Sequence, residues 1–172
     1  MFHEIGHNMQ RDEWTFNGSV EVTVNLFSMH AMDIIVGHHV TKQKWLLDQK
    51  RTLSEYFSKS PTYEKWKNSY GPALFTFAQL IKHFGWEPMY KFMRDYEKDM
   101  NENNTSKLPK NNQQKLDQWV IRYSKIIKKN LKSHFQMFGL PISSESVDKH
   151  VKNYDSWFNL EELKDPKLFF NL

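Results

Sequence analysis

Cysteine is missing from all 172 residues, which excludes a disulfide framework, a thiolate metal site and a thiol nucleophile. A metal held by this chain must therefore sit between imidazoles and carboxylates. No apolar run approaches the roughly 20 residues that a membrane-spanning helix needs. Nor does a positively charged leader precede an apolar signal core, so a secretion signal, for a secreted parent, belongs upstream. There is no internal repeat and no convincing run of strand-like alternation. Charge of one sign is only slightly in excess: 24 Lys and Arg against 20 Asp and Glu leave a net charge of +4. That imbalance is too small to imply nucleic acid, although it favours anionic partners.

What is abundant is aromatic surface. Thirteen Phe, seven Tyr and six Trp provide large contact areas of a kind that disordered chains lack, and the length suits one domain with a real core. The apolar spacing predicts an all-α fold. Residues 1–10 read as the end of one helix, residues 11–19 as a loop, and residues 20–36 as a second helix with Val20, Val24, Phe27, Ala31 and Ile34 on one face. A helical array follows over 42–152. It holds an amphipathic helix at 42–59 ended by Pro61, a hairpin turning at Gly85-Trp86 with Pro72 and Pro88 in first turns, and an exposed loop at 101–112. Residues 113–138 complete it, with a break near Asn130, and a short helix follows GLPISSES. The aromatic tail, 153–172, reads as irregular.

Chemistry concentrates near the start, where residues 3–7 spell His-Glu-Ile-Gly-His. On a helix, residues four apart share a face, so His3 and His7 can offer two imidazole nitrogens to one ion. Glu4 is rotated by about 100° and reaches a water beside that ion. Two ligands and a general base is the arrangement of a zinc peptidase, but a third ligand has to complete it. The candidates are Glu13, Glu21, His30, Asp33, His38 and His39. Glu21 is the best placed, at the start of the next helix across a short loop. Asn25, one turn further on, is positioned to hydrogen-bond a ligand imidazole from behind. Trp14 lies between the two helices and is read as lining the cleft. His38 and His39 follow a helix-stopping glycine and read as a C-terminal charge cluster. Tyr70 and His150 are candidate donors to an oxyanion, without a context that singles either out. The run KIIKKNLK reads as a solvated basic face with Lys125, Lys128, Lys129 and Lys132.

The stretch HEIGHNMQRDEWTF followed by GSVEVTVNLFS closely resembles the M60-like (enhancin and mucinase) zinc metallopeptidases of gluzincin type. These carry HExxH, a Trp-containing stretch, and a glutamate ligand in a Glu-Val-Thr-x-Asn-Leu/Ile-Phe/Tyr-Ser context. LIKHFGWEPMYKFMRDY and NNQQKLDQWVIRYSKIIKKNLKSHFQMFGLPIS resemble the downstream helices, so the likeness runs from residue 3 to about 144. It implies that His3, His7 and Glu21 bind a Zn2+ ion and that Glu4 is the catalytic base. It also implies protein or glycoprotein substrates, mucin-type O-glycosylated chains among them, and an extracellular or cell-surface parent. By the same likeness this chain is the helical C-terminal subdomain of a gluzincin-like catalytic domain, with the upstream β-sheet subdomain absent. An upstream part of the same parent would complete the cleft, and His3 would sit in a frayed first turn. Two other classes stay open: a non-catalytic M60-like interaction protein, as among animal relatives that have lost ligands, and a basic helical module for anionic polymers.

Overall fold

The structure, a computed structural model, describes residues 2–170; Met1, Asn171 and Leu172, which fall within the first helix and the tail as read from sequence, lie outside them. Helices in chain order are α1 (Phe2–Met9), α2 (Val20–His30), α3 (Lys44–Leu47), α4 (Lys50–Ser58), α5 (Tyr63–Lys67) and α6 (Tyr70–Phe84). They continue with α7 (Glu87–Asn101), α8 (Asn112–Ile127), α9 (Lys132–Met137), α10 (Ser144–Val151), α11 (Leu160–Lys164) and α12 (Pro166–Phe170). Among the described residues there is no strand, only one isolated bridge between Asn130 and Ser156. The all-helical expectation holds, and among the described residues no helix is long and apolar enough to cross a membrane.

α6 is the axis of the molecule. Every residue from Pro72 to Ile81 is buried, as expected of a helix apolar on all sides, and α2, α4, α5 and α7 pack around it. Gly85 ends it at φ 71°, a backbone angle that favours glycine. Pro88 then enters the first turn of α7, where its missing N–H costs nothing. α8 closes the core: Trp119 stacks on Phe92 with ring centres 4.0 Å apart and lies 4.9 Å from Phe77. Such pairs add about 0.5–1.5 kcal/mol each beyond the area they bury.

Several elements depart from their sequence reading. α2 is regular only to His30 and then widens into a π turn, Ala31–Ile35, in which the Val36 N–H reaches back five residues to Ala31. The widening turns Ile34 and Ile35 out to solvent, and Val20 is exposed too; Val24 and Ala31 are buried as expected, joined by Val22, Leu26 and Met29. The helix expected at 42–59 is split, because the Gln49 N–H bonds the nearer carbonyl of Leu46 and separates α3 from α4. α5 was not foreseen; Thr62 caps it by accepting from the Lys65 N–H, and Trp66 anchors it in the core. The break near Asn130 is real, with Lys128 left-handed at φ 57°. The tail is helical rather than irregular over Leu160–Lys164 and Pro166–Phe170. Asn159 caps α11, and Phe169 packs 4.5 Å from Phe75.

Candidate metal centre

The sequence of α1 explains how it meets α2. Gly6 is the one buried residue of the helix, and a Cβ built on it would fall 2.9 Å from Val24 Cγ2 and 3.0 Å from the Val24 carbonyl. The glycine between the histidines thus lets the two helices touch. That close approach puts Glu21, in the first turn of α2, opposite His3 and His7. His3 Nε2 lies 3.2 Å from Glu21 Oε2, and His7 Nε2 lies 3.8 Å from Glu21 Oε1. The two rings stand edge to face, centres 4.8 Å apart. Among the described residues, these three are the one group of His, Asp or Glu side chains that converges as metal ligands do, with donor atoms all within 4.8 Å.

The donor set fits zinc. Tetrahedral ligands at about 2.0–2.1 Å from a Zn2+ ion stand about 3.3 Å from one another; the two His–Glu21 separations bracket that distance, and the whole set lies within 4.8 Å. Each Nε2 is turned inward because each Nδ1 is engaged. His3 Nδ1 lies 3.1 Å from Asn25 Oδ1, and Asn25 Nδ2 donates to the Glu21 carbonyl at 2.7 Å. Asn25 therefore stands behind the His3 ring. Behind His7 stands a residue that sequence reasoning missed: His7 Nδ1 lies 3.0 Å from Gln10 Oε1. Glu4 sits on the exposed side of α1, and nothing among the described residues pairs with its carboxylate.

The other candidates are placed elsewhere. His30 bonds the Tyr90 hydroxyl and is held below the ordinary histidine range, burial outweighing the opposing pull of Asp33. Asp33 accepts from Trp86 Nε1 at 2.8 Å. His39 opens the 3-10 turn Val40–Lys42, accepting from the Thr41 N–H, rather than closing the helix before it. Trp14 requires a correction. It does not line a cleft; the 3-10 turn Asp12–Trp14 tucks its indole inward, 2% exposed, edge-on to Tyr96. Its carbonyl accepts from Trp119 Nε1 at 2.6 Å. Tyr70 is exposed at the start of α6, and His150 lines a groove with Lys91, Asp95 and Arg122 that no residue of α1 or α2 enters. Of the basic run, Lys129 pairs with Asp155, Lys132 with Asp148, and Lys128 lies over the Tyr154 ring.

Against this geometry, the profile of the family described as Peptidase M60, enhancin and enhancin-like, matches residues 1–139. The chain belongs to that family. Among curated proteins the M60 chain is similar to human TRPM8 channel-associated factor 2, with 32% identity over 150 residues, which is 85% of this chain and 16% of the relative. It is also similar to TRPM8 channel-associated factor 3 of Rattus norvegicus, 28% identical over 159 residues and covering 90% of this chain and 16% of that protein. It therefore spans about a sixth of the length of these relatives. Among solved structures it resembles a functionally unknown conserved protein from Bacillus anthracis str. Ames, with a TM-score of 0.72 and 22% identity. That likeness covers 95% of this chain and 32% of the other, and at such identity it speaks for the fold alone.

Proposed function

We propose that this M60 chain is the metal-binding helical part of a zinc-dependent endopeptidase domain of gluzincin type that acts on proteins or glycoproteins. The observation that carries the reading is the convergence of one ring nitrogen each from His3 and His7 and a Glu21 carboxylate oxygen within 4.8 Å. Zinc bound there supplies a Lewis acid that polarises the scissile carbonyl and acidifies water. His3, His7 and Glu21 hold the ion, and Asn25 and Gln10 orient the two rings. Glu4, next in sequence to His3 and exposed, takes a proton from the attacking water and returns it to the leaving amine. Mucin-type glycoproteins as substrates and an extracellular or cell-surface parent belong to the same proposal.

A second reading has its own support. The curated relatives carry names that tie them to a TRPM8 channel, which favours an M60 domain that acts by protein contact without hydrolysis. Glu4→Gln separates the two. On the peptidase reading, this variant of the parent protein binds zinc in calorimetry with wild-type stoichiometry but loses cleavage of protein substrates. A parent that keeps its full biological effect with Glu4→Gln, and shows no zinc-dependent cleavage as wild type, sinks the peptidase reading and leaves the contact role. A basic module for anionic polymers is less well supported, because Lys129 and Lys132 are already matched to aspartates.

A further inference from the structure

Gln10 follows directly on α1, and its side chain turns back to the start of α2. Its Nε2 donates to the Val20 carbonyl at 2.8 Å and to Thr23 Oγ1 at 2.7 Å. The Thr23 hydroxyl in turn gives its proton to the Ser19 carbonyl at 3.0 Å, so towards Gln10 it can only accept. Thr23 and Ser19 are both buried, which makes a fixed polar relay out of the first turn of α2. Both amide protons of Gln10 are thereby committed. Flipping the amide would set Oε1 against the Val20 carbonyl, two acceptors facing each other, and would strand the Thr23 oxygen. The orientation is determined by its neighbours, and it leaves Oε1 facing His7 Nδ1.

From this we infer that Gln10 is a positioning residue that locks His7 in the Nδ1–H tautomer, so that its Nε2 lone pair faces Glu21 before any metal arrives. The inference rests on the zinc reading for its purpose but not for its chemistry. An amide oxygen accepts and never donates, so the proton of a neutral His7 ring must sit on Nδ1. Ligand histidines are commonly held in this way by a carboxylate or a backbone carbonyl, and losing the partner costs roughly 10–100-fold in metal affinity. Gln10 does it with a neutral amide that also bridges the end of one ligand helix to the beginning of the other. His3 differs: its Nδ1 faces Asn25 Oδ1 at 3.1 Å and its Nε2 faces Glu21 Oε2 at 3.2 Å, so acceptors stand at both ring nitrogens and its tautomer is not set by one partner.

The test compares wild type with Gln10→Leu, which keeps the bulk and removes the acceptor. Two quantities are read: the tautomer of His7 in the metal-free protein, from 15N shifts of the ring at a pH where it is neutral, and zinc affinity, from competition with a chelating dye. Wild type is expected to show Nδ1–H for His7. Gln10→Leu is expected to shift that ring towards Nε2–H and to lose roughly 10–100-fold in zinc affinity, with the His3 signals unchanged. An unaltered His7 tautomer, or zinc affinity within threefold of wild type, overturns the proposal. Lost affinity without a tautomer change does so as well, since it marks a merely structural role. Should wild type bind no zinc, the metal reading fails, and the tautomer comparison alone decides on Gln10. Thr23→Val, which removes the acceptor that orients the Gln10 amide, provides a second variant with the same expected direction.

Discussion

Among the described residues, two carboxylate–histidine clusters stand out, and they are built on opposite principles. At the α1–α2 edge, Glu21 is half exposed, faces two imidazoles, and has no lysine or arginine paired with it among the described residues. On α11, Glu162 is buried, with Lys82 Nζ at 2.6 Å and His83 Nε2 at 3.1 Å from the same oxygen and Gln79 on the other. Burial pushes the Glu162 carboxyl up, but the bonds from His83 and Lys82 outweigh it and hold it below the ordinary range. The second cluster is complete, its charge answered by the chain itself, and it ties the tail to α6. In the first, no lysine or arginine among the described residues answers Glu21, and the possible donor atoms converge within 4.8 Å. On the zinc reading, the difference between the two clusters lies in what the first leaves unanswered.

Substitutions should split the two by what they damage. Glu162→Ala is expected to have the largest effect on stability, about 3 kcal/mol by urea denaturation, because it strands a largely buried lysine; zinc affinity should stay at the wild-type value. A loss below about 1 kcal/mol would mean the tail cluster is not what holds α11. Next comes acid. His134, fully buried between α6 and the tail, donates to the Thr76 carbonyl, and burial lowers its pKa to about 4. The unfolded ring titrates near 6.5, so between these values the unfolded state binds the extra proton. Its contribution is fully present above pH 6.5 and lost as pH falls towards 4, by about 3 kcal/mol in all. His134→Gln should flatten the pH dependence of denaturation over that window; equal slopes in both proteins would refute the assignment.

Gly6→Ala should cost less, about 1–3 kcal/mol, since the added methyl meets Val24 and Phe27 and forces α1 away from α2. Unlike Glu162→Ala it should weaken zinc binding as well, and calorimetry on the folded variant would show whether helix spacing and ligand convergence are one property. Smallest in stability is Glu21→Ala, within about 0.5 kcal/mol in the absence of metal, as for other half-exposed pairs. It should nevertheless lose more than about 100-fold in zinc affinity, beyond what losing an outer partner costs. If Glu21→Ala binds zinc like wild type, the first cluster is no metal centre.

The sequence made some of this legible and hid the rest for physical reasons. His3, Glu4 and His7 are related by helical spacing, and Glu21 and Asn25 by spacing on the next helix; that the two sets meet at one edge was implied by the likeness to the M60 family and follows in the fold from the close approach at Gly6. Gln10 was overlooked because its role depends on the angle at which two helices meet, which no spacing encodes. A polar residue three positions after the second histidine was the only signal. Trp14 was misplaced since a three-residue turn decides whether an indole points in or out. The tail helices are too short to announce themselves by period. They exist through partners some eighty positions away, Lys82 and His83 for Glu162, and such pairings are invisible along the chain.

The π turn at Ala31–Ile35 has a consequence for how this chain tolerates changes in length. A π turn amounts to one surplus residue carried inside a helix. Removing one residue there should let α2 continue with ordinary winding, reeling the exposed isoleucines back towards the surface of the bundle. Everything before His30, Glu21 included, would keep its place, so relatives one residue shorter at this point would retain the same upstream architecture.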